Sequence, residues 1–111
     1  MAPVFETPEV PTVGTTPQTV ASCSTGQQVQ LLSCFAFNRD SATRTLVLKK
    51  AGGSISPLEL GKVTLEPGER KSMMEAPCYG LDGNGEAITI ESDATAATIE
   101  PCVHAVAFKV S

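Results

Sequence analysis

The sequence predicts an all-β protein: one antiparallel β-sandwich, of the jelly-roll or immunoglobulin-like type, preceded by an extended N-terminal arm. Apolar residues recur at period two in five or six short runs after residue 27, which is typical of strands. Residues that favour turns separate those runs at the spacing seen in sandwiches. The first eighteen residues carry four prolines. We therefore divide the chain into a Pro/Thr-rich arm, residues 1–18, and a sandwich domain, residues 19–111.

Composition limits both the core and the partners. The chain has 111 residues, 41% of them apolar, but only four Phe, one Tyr and no Trp, so we expect a core of Val, Leu, Ile and Ala. The net charge is −4 and the eight basic residues are scattered, which disfavours nucleic acids and anionic membranes as partners. The N-terminus has no basic segment followed by an apolar one, so we expect synthesis in the cytoplasm without classical secretion.

The arm is the first element. Prolines at positions 3, 8, 11 and 17 remove backbone donors and bias the residues before them to extended geometry. Two interpretations stay open: a disordered tail, or an extended arm that lies across a neighbouring subunit. In the second, the spaced apolar contacts are Val4, Phe5, Val10 and Val13.

The central strands follow from alternation and turn chemistry. Residues 28–38 place Val29, Leu31, Phe35 and Phe37 on one face. An Asn/Asp/Ser turn then leads to a β-branched strand at residues 43–50, and together these segments predict a hairpin. A Gly/Ser loop, a short strand at residues 61–65 and a Pro-Gly turn at residues 66–69 follow.

The C-terminal part adds a glycine-rich turn and a last strand. Acidic and amide oxygens alternate at Asp82, Asn84 and Glu86, as in a calcium loop, but the distal Glu at EF-hand spacing is missing, so we interpret the segment as a hairpin turn and predict no metal site. Residues 102–110 alternate as a strand, with His104 on the same face as Phe108.

The four cysteines have two open interpretations. Without a secretory signal they are reduced, partly buried thiols, whereas release after lysis would allow late disulfides within or between subunits. Their spacing does not resemble a zinc site. Among Cys23, Cys34, Cys78 and Cys102, Cys23 is the best candidate for an intersubunit bond because it lies next to the arm.

Catalytic motifs are missing from the sequence. It has one histidine and no nucleophile elbow, phosphate-binding glycine loop or zinc-protease motif. A Cys34 or Cys78 nucleophile served by His104 stays a minor alternative, since catalytic residues meet in space. We therefore predict no catalytic residue, no cofactor and no enzymatic activity.

The order of motifs resembles a known family across residues 19–110. An apolar strand ends in Asn (LLSCFAFN), a polar turn (RDSAT) leads to a Val/Leu strand (RTLVLKK), and VTLEPGER and GEAITIESDATAAT follow. This order is similar to that of the small β-sandwich accessory proteins of tailed-bacteriophage virions. The chain departs from them by its four cysteines and its proline-rich arm.

The resemblance implies a capsid decoration or cement subunit that assembles into the virion in the host cytoplasm. Its implied partners are major capsid or connector proteins and further copies of itself, and it needs no cofactor. A neck, collar or tail component is the alternative within the same family. A receptor- or glycan-binding surface module is the alternative outside it, although sugar platforms commonly use Trp and Tyr and this chain has one Tyr and no Trp.

Overall fold

A computed structural model shows an all-β protein and describes residues 4–52, 55–81, 83, 85–94 and 100–110. Those residues form ten strands and no helix, as the alternating apolar pattern predicts. The strands are β1 (Val4–Glu6), β2 (Glu9–Val10), β3 (Gln18–Ser22), β4 (Gln28–Phe37), β5 (Arg44–Gly52), β6 (Ile55–Leu65), β7 (Arg70–Ser72), β8 (Tyr79–Leu81), β9 (Glu86–Ser92) and β10 (Cys102–Val110).

The strands form two antiparallel sheets. The six-stranded sheet has the order β1-β10-β4-β7, in which β2 also pairs with β10 and β8 also pairs with β4. The four-stranded sheet has the order β3-β9-β5-β6. Buried apolar residues of both sheets belong to one hydrophobic cluster. The predicted all-β class with antiparallel sheets is therefore confirmed.

The strand pairs are nested along the chain. β5 pairs with β6, and this pair lies within the pair of β4 with β7 and β8. That pair lies within β3 with β9, which in turn lies within β1 and β2 with β10. Successive pairs alternate between the two sheets. The chain is thus one long antiparallel ribbon, and pairing of β10 with β4 and of β9 with β5 closes the two sheets.

The core is built from small and branched aliphatic residues, as the composition predicts. The fully buried side chains include Leu, Ile, Val and Met but no Phe. The core residues are Val10, Val13, Val20, Ala21, Cys23, Val29, Leu31, Cys34, Ala36, Leu46, Leu48, Leu65, Met73, Leu81, Ile88, Ile90, Val103, Ala105 and Ala107.

The N-terminal segment pairs with its own chain. β1 and β2 lie along β10, and the amide of Val13 donates to the carbonyl of Pro101 at 2.8 Å. Val10 and Val13 are buried in the same cluster as residues of the domain. The residues assigned to the arm therefore supply an edge of the six-stranded sheet and part of the core.

Two predicted hairpins are wrong: the one that joins residues 28–38 to residues 43–50, and the one closed by the glycine-rich segment at residues 82–86. β4 and β5 lie in different sheets, and so do β8 and β9. The turn at residues 24–27, where the amide of Gln27 donates to the carbonyl of Ser24 at 3.0 Å and Gly26 has a φ of 81°, also lies between strands of different sheets, β3 and β4. Each turn is thus a corner between sheets. The same residue types close a hairpin and turn such a corner, so local sequence cannot separate the two.

The predicted face of β4 is only half correct. Val29 and Leu31 are buried, but after them the buried positions are Cys34 and Ala36, and Phe35 is exposed. The pairing with β10 shifts register here, because Val106 pairs with Ser33 and Ala107 with Leu31. Leu32 is therefore the extra residue of a β-bulge, which reverses the facing of every later side chain.

The corner between β4 and β5 is buried and polar. Its amide side chain, Asn38, donates to the carbonyls of Ala42 at 2.9 Å and Leu65 at 3.0 Å. Asp40 is also buried and forms an ion pair of 2.7 Å with Arg44. This network satisfies backbone groups that the corner would otherwise bury unpaired.

The Pro-Gly turn at residues 66–69 is confirmed. The amide of Glu69 donates to the carbonyl of Glu66 at 3.0 Å, and Gly68 has a φ of 78°. Proline at the second position and a positive φ at the third define a type II turn. It carries the chain from β6 in one sheet to β7 in the other.

Candidate functional site

All four phenylalanines lie on the outer face of the six-stranded sheet. None belongs to the core: Phe35 is 47% exposed and Phe5 is 65% exposed, and Phe37 and Phe108 are half-buried. Their neighbours in register have outward-facing side chains too, as for His104 beside Phe35. We call this surface, defined by Phe5, Phe35, Phe37 and Phe108, the aromatic face.

A groove lies at one end of the aromatic face. Its volume is about 420 Å³, and its lining residues are Phe35, Phe37, Arg70, Cys102 and His104. The bulge in β4 creates it, because only the reversed facing brings both phenylalanines outward between β10 and β7. The pairs Phe37 with Cys102 and Phe37 with Arg70 then line the two sides.

Charged residues of opposite sign lie at the two edges of this face. Glu9 on β2 contacts Nδ1 of His104 through its Oε1 at 3.1 Å. Arg70 lies on β7, at the opposite edge. At the far end of the face, Phe5 and Phe108 pack with ring centroids 4.9 Å apart and planes tilted by 55°. The face therefore combines an apolar centre with one acidic and one basic edge.

The outer face of the four-stranded sheet has a different composition. There Lys49 and Glu91 form an ion pair of 3.0 Å, and the hydroxyls of Thr45 and Thr64 lie 3.0 Å apart. This is the polar surface that a solvated sheet face presents. Phenylalanine is favoured in the strands of either sheet, so strand propensity alone does not explain why all four phenylalanines lie on the outer face of one sheet.

The four cysteines are all described and none forms a disulfide. Cys23 is buried, and its Sγ lies 3.2 Å from the carbonyl oxygen of Gln27. Cys34 is buried in the core, Cys102 is half-buried in the groove and Cys78 is exposed. Burial removes the geometric reason for preferring Cys23 as an intersubunit link, since a partner thiol cannot reach it. Cys78 is the accessible thiol.

The structure separates Cys34, one of the two candidate nucleophiles, from the candidate base. Cys34 faces the core and His104 faces solvent from the opposite side of the same sheet. Burial also raises the pKa of the Cys34 thiol from 9.0 to about 12, which keeps it protonated and poorly nucleophilic near neutral pH. These two residues therefore cannot form a catalytic pair without unfolding the sheet.

The loop considered for calcium is described only in part. Asp82 and Asn84 lie outside the described residues. Glu86 is buried, accepts a hydrogen bond from the amide of Gly83 at 3.0 Å and lies 3.8 Å from Nζ of Lys50. Within the described residues, no three His, Cys, Asp or Glu side chains come together as metal ligands.

The candidate arm contacts divide into two pairs. Val10 and Val13 are buried within the chain's own core, whereas Val4 and Phe5 lie on β1 and remain exposed. Only the second pair can contact another molecule while the described fold is kept. Of this exposed pair, Phe5 is also part of the aromatic face.

Comparison with models of known protein families finds no match, and comparison with curated proteins finds no significant match. The described part of the chain contains no helix with the length and apolar character that crossing a membrane requires.

Sequence reasoning missed the aromatic face and its charged edges. One signal was present: β4 is apolar at Cys34 and Ala36 as well as at Phe35 and Phe37. In a two-layer protein one side of each strand faces out, so a strand that is apolar on both sides indicates that its outer side is covered by something.

Proposed function

We propose that this chain is a non-enzymatic structural protein of a tailed-phage virion, a capsid decoration or cement subunit that stabilises the particle through its β domain and N-terminal segment. Its partners in this role are major capsid or connector proteins and further copies of itself. It needs no cofactor and assembles into the virion in the host cytoplasm. The motif order from residue 19 to residue 110 supports this family.

The strand topology supports a jelly roll in preference to an immunoglobulin-like sandwich. β1 and β2 continue along one partner, as do β7 and β8, so ten strands occupy eight positions. A jelly roll has eight strands in two sheets, and it recurs in viral capsid proteins. An immunoglobulin-like sandwich pairs several strands that are consecutive in sequence, whereas here consecutive positions pair only at β5 and β6 within the described chain. Fold alone does not establish function.

The aromatic face is the single observation that carries the proposal. Four phenylalanines placed outside the core, on one sheet only, provide the apolar centre of a protein–protein interface. No phenylalanine belongs to the core cluster, so packing of the core does not account for these four residues. An assembly subunit retains such a surface because a neighbour covers it.

Particle binding tests the proposal. Phage particles prepared without this protein are mixed with the purified chain and sedimented. We expect the wild-type chain to sediment with the particles, and binding to saturate at a fixed number of copies per particle. We expect Phe35→Ser to bind at least about tenfold more weakly, since truncating a central interface aromatic typically costs more than about 1 kcal/mol.

The matched control is Leu58→Ser. Leu58 is 57% exposed but lies on β6 of the four-stranded sheet, so its loss should leave binding unchanged. Absence of saturable binding by the wild-type chain contradicts the proposal. Electron microscopy of the bound particles then separates capsid decoration from a neck, collar or tail position. Binding to glycans or host cells in place of particles would favour the receptor module.

A further inference from the structure

We propose that the aromatic face binds a second copy of this chain, in a two-fold dimer whose axis runs parallel to the strands of the six-stranded sheet. This inference rests on the proposed function, since it names the partner of the same surface. It is carried by three observations: the arrangement of charge, the register of the aromatic residues and the size of the face.

The charge arrangement selects both the partner and the axis. On the aromatic face, Glu9 lies at the β2 edge and Arg70 at the β7 edge. A two-fold axis parallel to the strands reverses the order of strands in the facing sheet, so β2 of one copy lies over β7 of the other. Glu9 then lies over Ser72 of the second copy, and Arg70, two residues along β7 and about 7 Å away, can reach it through its long side chain at each edge of the interface. An axis perpendicular to the strands would keep β2 over β2 and β7 over β7, so that edges of like charge would face each other.

Arg70 is available for this contact. No ion pair joins it to another side chain in the part of the chain that the structure describes. Within one copy, Glu9 and Arg70 are separated by three strand spacings, about 14 Å, and cannot reach each other. Their opposite charges can therefore form an ion pair only between two copies of the chain.

The register places aromatic residues over the imidazole. Glu9, His104, Phe35 and Ser72 lie at one level across the sheet. The same two-fold axis places β10 over β4, so Phe35 of one copy faces His104 of the other. Each groove is in this way filled by the ring that projects from the opposite sheet. Sheets that pack face to face lie about 10 Å apart, which accommodates such interdigitation.

The face has the area that a small dimer needs. Four strand positions of about 4.8 Å and the nine residues of β10 give a surface of about 19 by 30 Å. Two such faces bury roughly 1,100 Å², which is just above the size of about 1,000 Å² that separates specific interfaces from incidental contacts. The dimer should therefore dissociate on dilution.

Sedimentation velocity of the full-length chain, with reductant present to exclude disulfides, tests the dimer. We expect the mean mass to rise from monomer to dimer over roughly micromolar to hundreds of micromolar concentrations. Phe35→Ser should raise the dissociation constant at least about tenfold. Leu58→Ser, at a similarly exposed position on the other sheet, should leave the dissociation constant unchanged.

A charge-reversal cycle tests the axis. Glu9→Lys and Arg70→Glu should each weaken the dimer by about threefold to tenfold, and the double variant should recover to within about twofold of wild type. Because the two residues cannot meet within one chain, recovery identifies a contact between copies. Comparison of the double variant with Glu9→Lys also controls for the contact between Glu9 and His104, because both variants lack that contact. Circular dichroism checks that every variant is folded.

The outcomes separate this inference from the proposed function. A chain that stays monomeric at all concentrations, or a dimer that Phe35→Ser leaves intact, overturns the inference. A dimer that weakens with either charge reversal but does not recover in the double variant overturns the axis. A monomer that binds particles through Phe35 keeps the proposed function and refutes the dimer. A dimer that binds no particle supports the dimer and refutes the proposed function.

Discussion

Truncation of Val13 tests whether the N-terminal segment belongs to the domain. Val13 is 0% exposed and lies before the first residue of the predicted domain. Val13→Ala removes two methyl groups, each contributing about 0.8 kcal/mol by transfer from water, and leaves a small cavity. We expect the free energy of unfolding to fall by about 2 kcal/mol. A free arm would give no loss.

Urea denaturation followed by circular dichroism measures the change. A loss of about 2 kcal/mol lowers the midpoint by roughly 1 M at an unchanged slope. Val20→Ala is the positive control, because Val20 is buried on β3 within the predicted domain, and it should cost about as much. Val4→Ala is the negative control. Val4 is 53% exposed on β1, so its truncation should cost less than about 1 kcal/mol.

Two results would refute the reasoning in different ways. If Val20→Ala destabilises the chain and Val13→Ala does not, the segment does not pack on the core. If the effect of Val13→Ala depends on protein concentration, the segment packs on a neighbouring copy, because exchange between subunits links stability to assembly. The second result would restore the extended arm, with the same buried contacts made between molecules.

Three further predictions concern the domain itself. Asn38→Ala should lower the free energy of unfolding by about 2 to 4 kcal/mol in urea denaturation, because it leaves buried backbone carbonyls unpaired; a loss below about 1 kcal/mol would contradict this. Cys34, whose pKa burial raises from 9.0 to about 12, ionises first in the unfolded state. Stability should therefore fall between pH 9 and 12 by up to about 1.4 kcal/mol per pH unit. The fall should be shallower in Cys34→Ala, and equal slopes would refute the assignment. Gly61→Ala should cost about 2 kcal/mol or more in thermal unfolding, since its Cβ would lie 2.4 Å from the carbonyl oxygen of Met73. Gly80→Ala, with open space around the position, should be nearly neutral, and equal costs would contradict the clash.

Local patterns predicted the strands but not their partners. Alternation in β10 placed Val103, Ala105 and Ala107 on one side, and all three are buried. The turn at residues 66–69 was also correct. What local sequence cannot encode is pairing between distant segments, such as that of Cys102 with Phe37. In a nested ribbon nearly every pair is of this kind, so turn chemistry predicted hairpins where the chain changes sheets.

The bulge in β4 limited the prediction of the candidate surface. Strict alternation put Phe35 on the same side as Leu31, and a single extra residue, Leu32, moved it to the other side. Nothing in the local sequence marks that insertion, because Leu32 is itself a good strand residue. Composition carried the missing information: a core that Val, Leu, Ile and Ala can fill has no place for the phenylalanines. They had to lie elsewhere, but only the register shows that they lie together.

The bulge and the aromatic face are therefore two aspects of one arrangement. Without the bulge, Cys34 and Ala36 would face outward and Phe35 and Phe37 would have to fit between the sheets. Small residues at the buried positions allow the sheets to approach closely, and the reversed facing places the large rings outside. Deleting Leu32 should remove the extra residue and keep this facing, because Leu31, Cys34 and Ala36 then alternate strictly on the buried side and both rings stay outside. We therefore expect the deletion variant to unfold cooperatively, with a midpoint in urea within about 1 M of the wild-type value. Loss of cooperative unfolding in that variant would show that the bulge does more than set which side chains face outward.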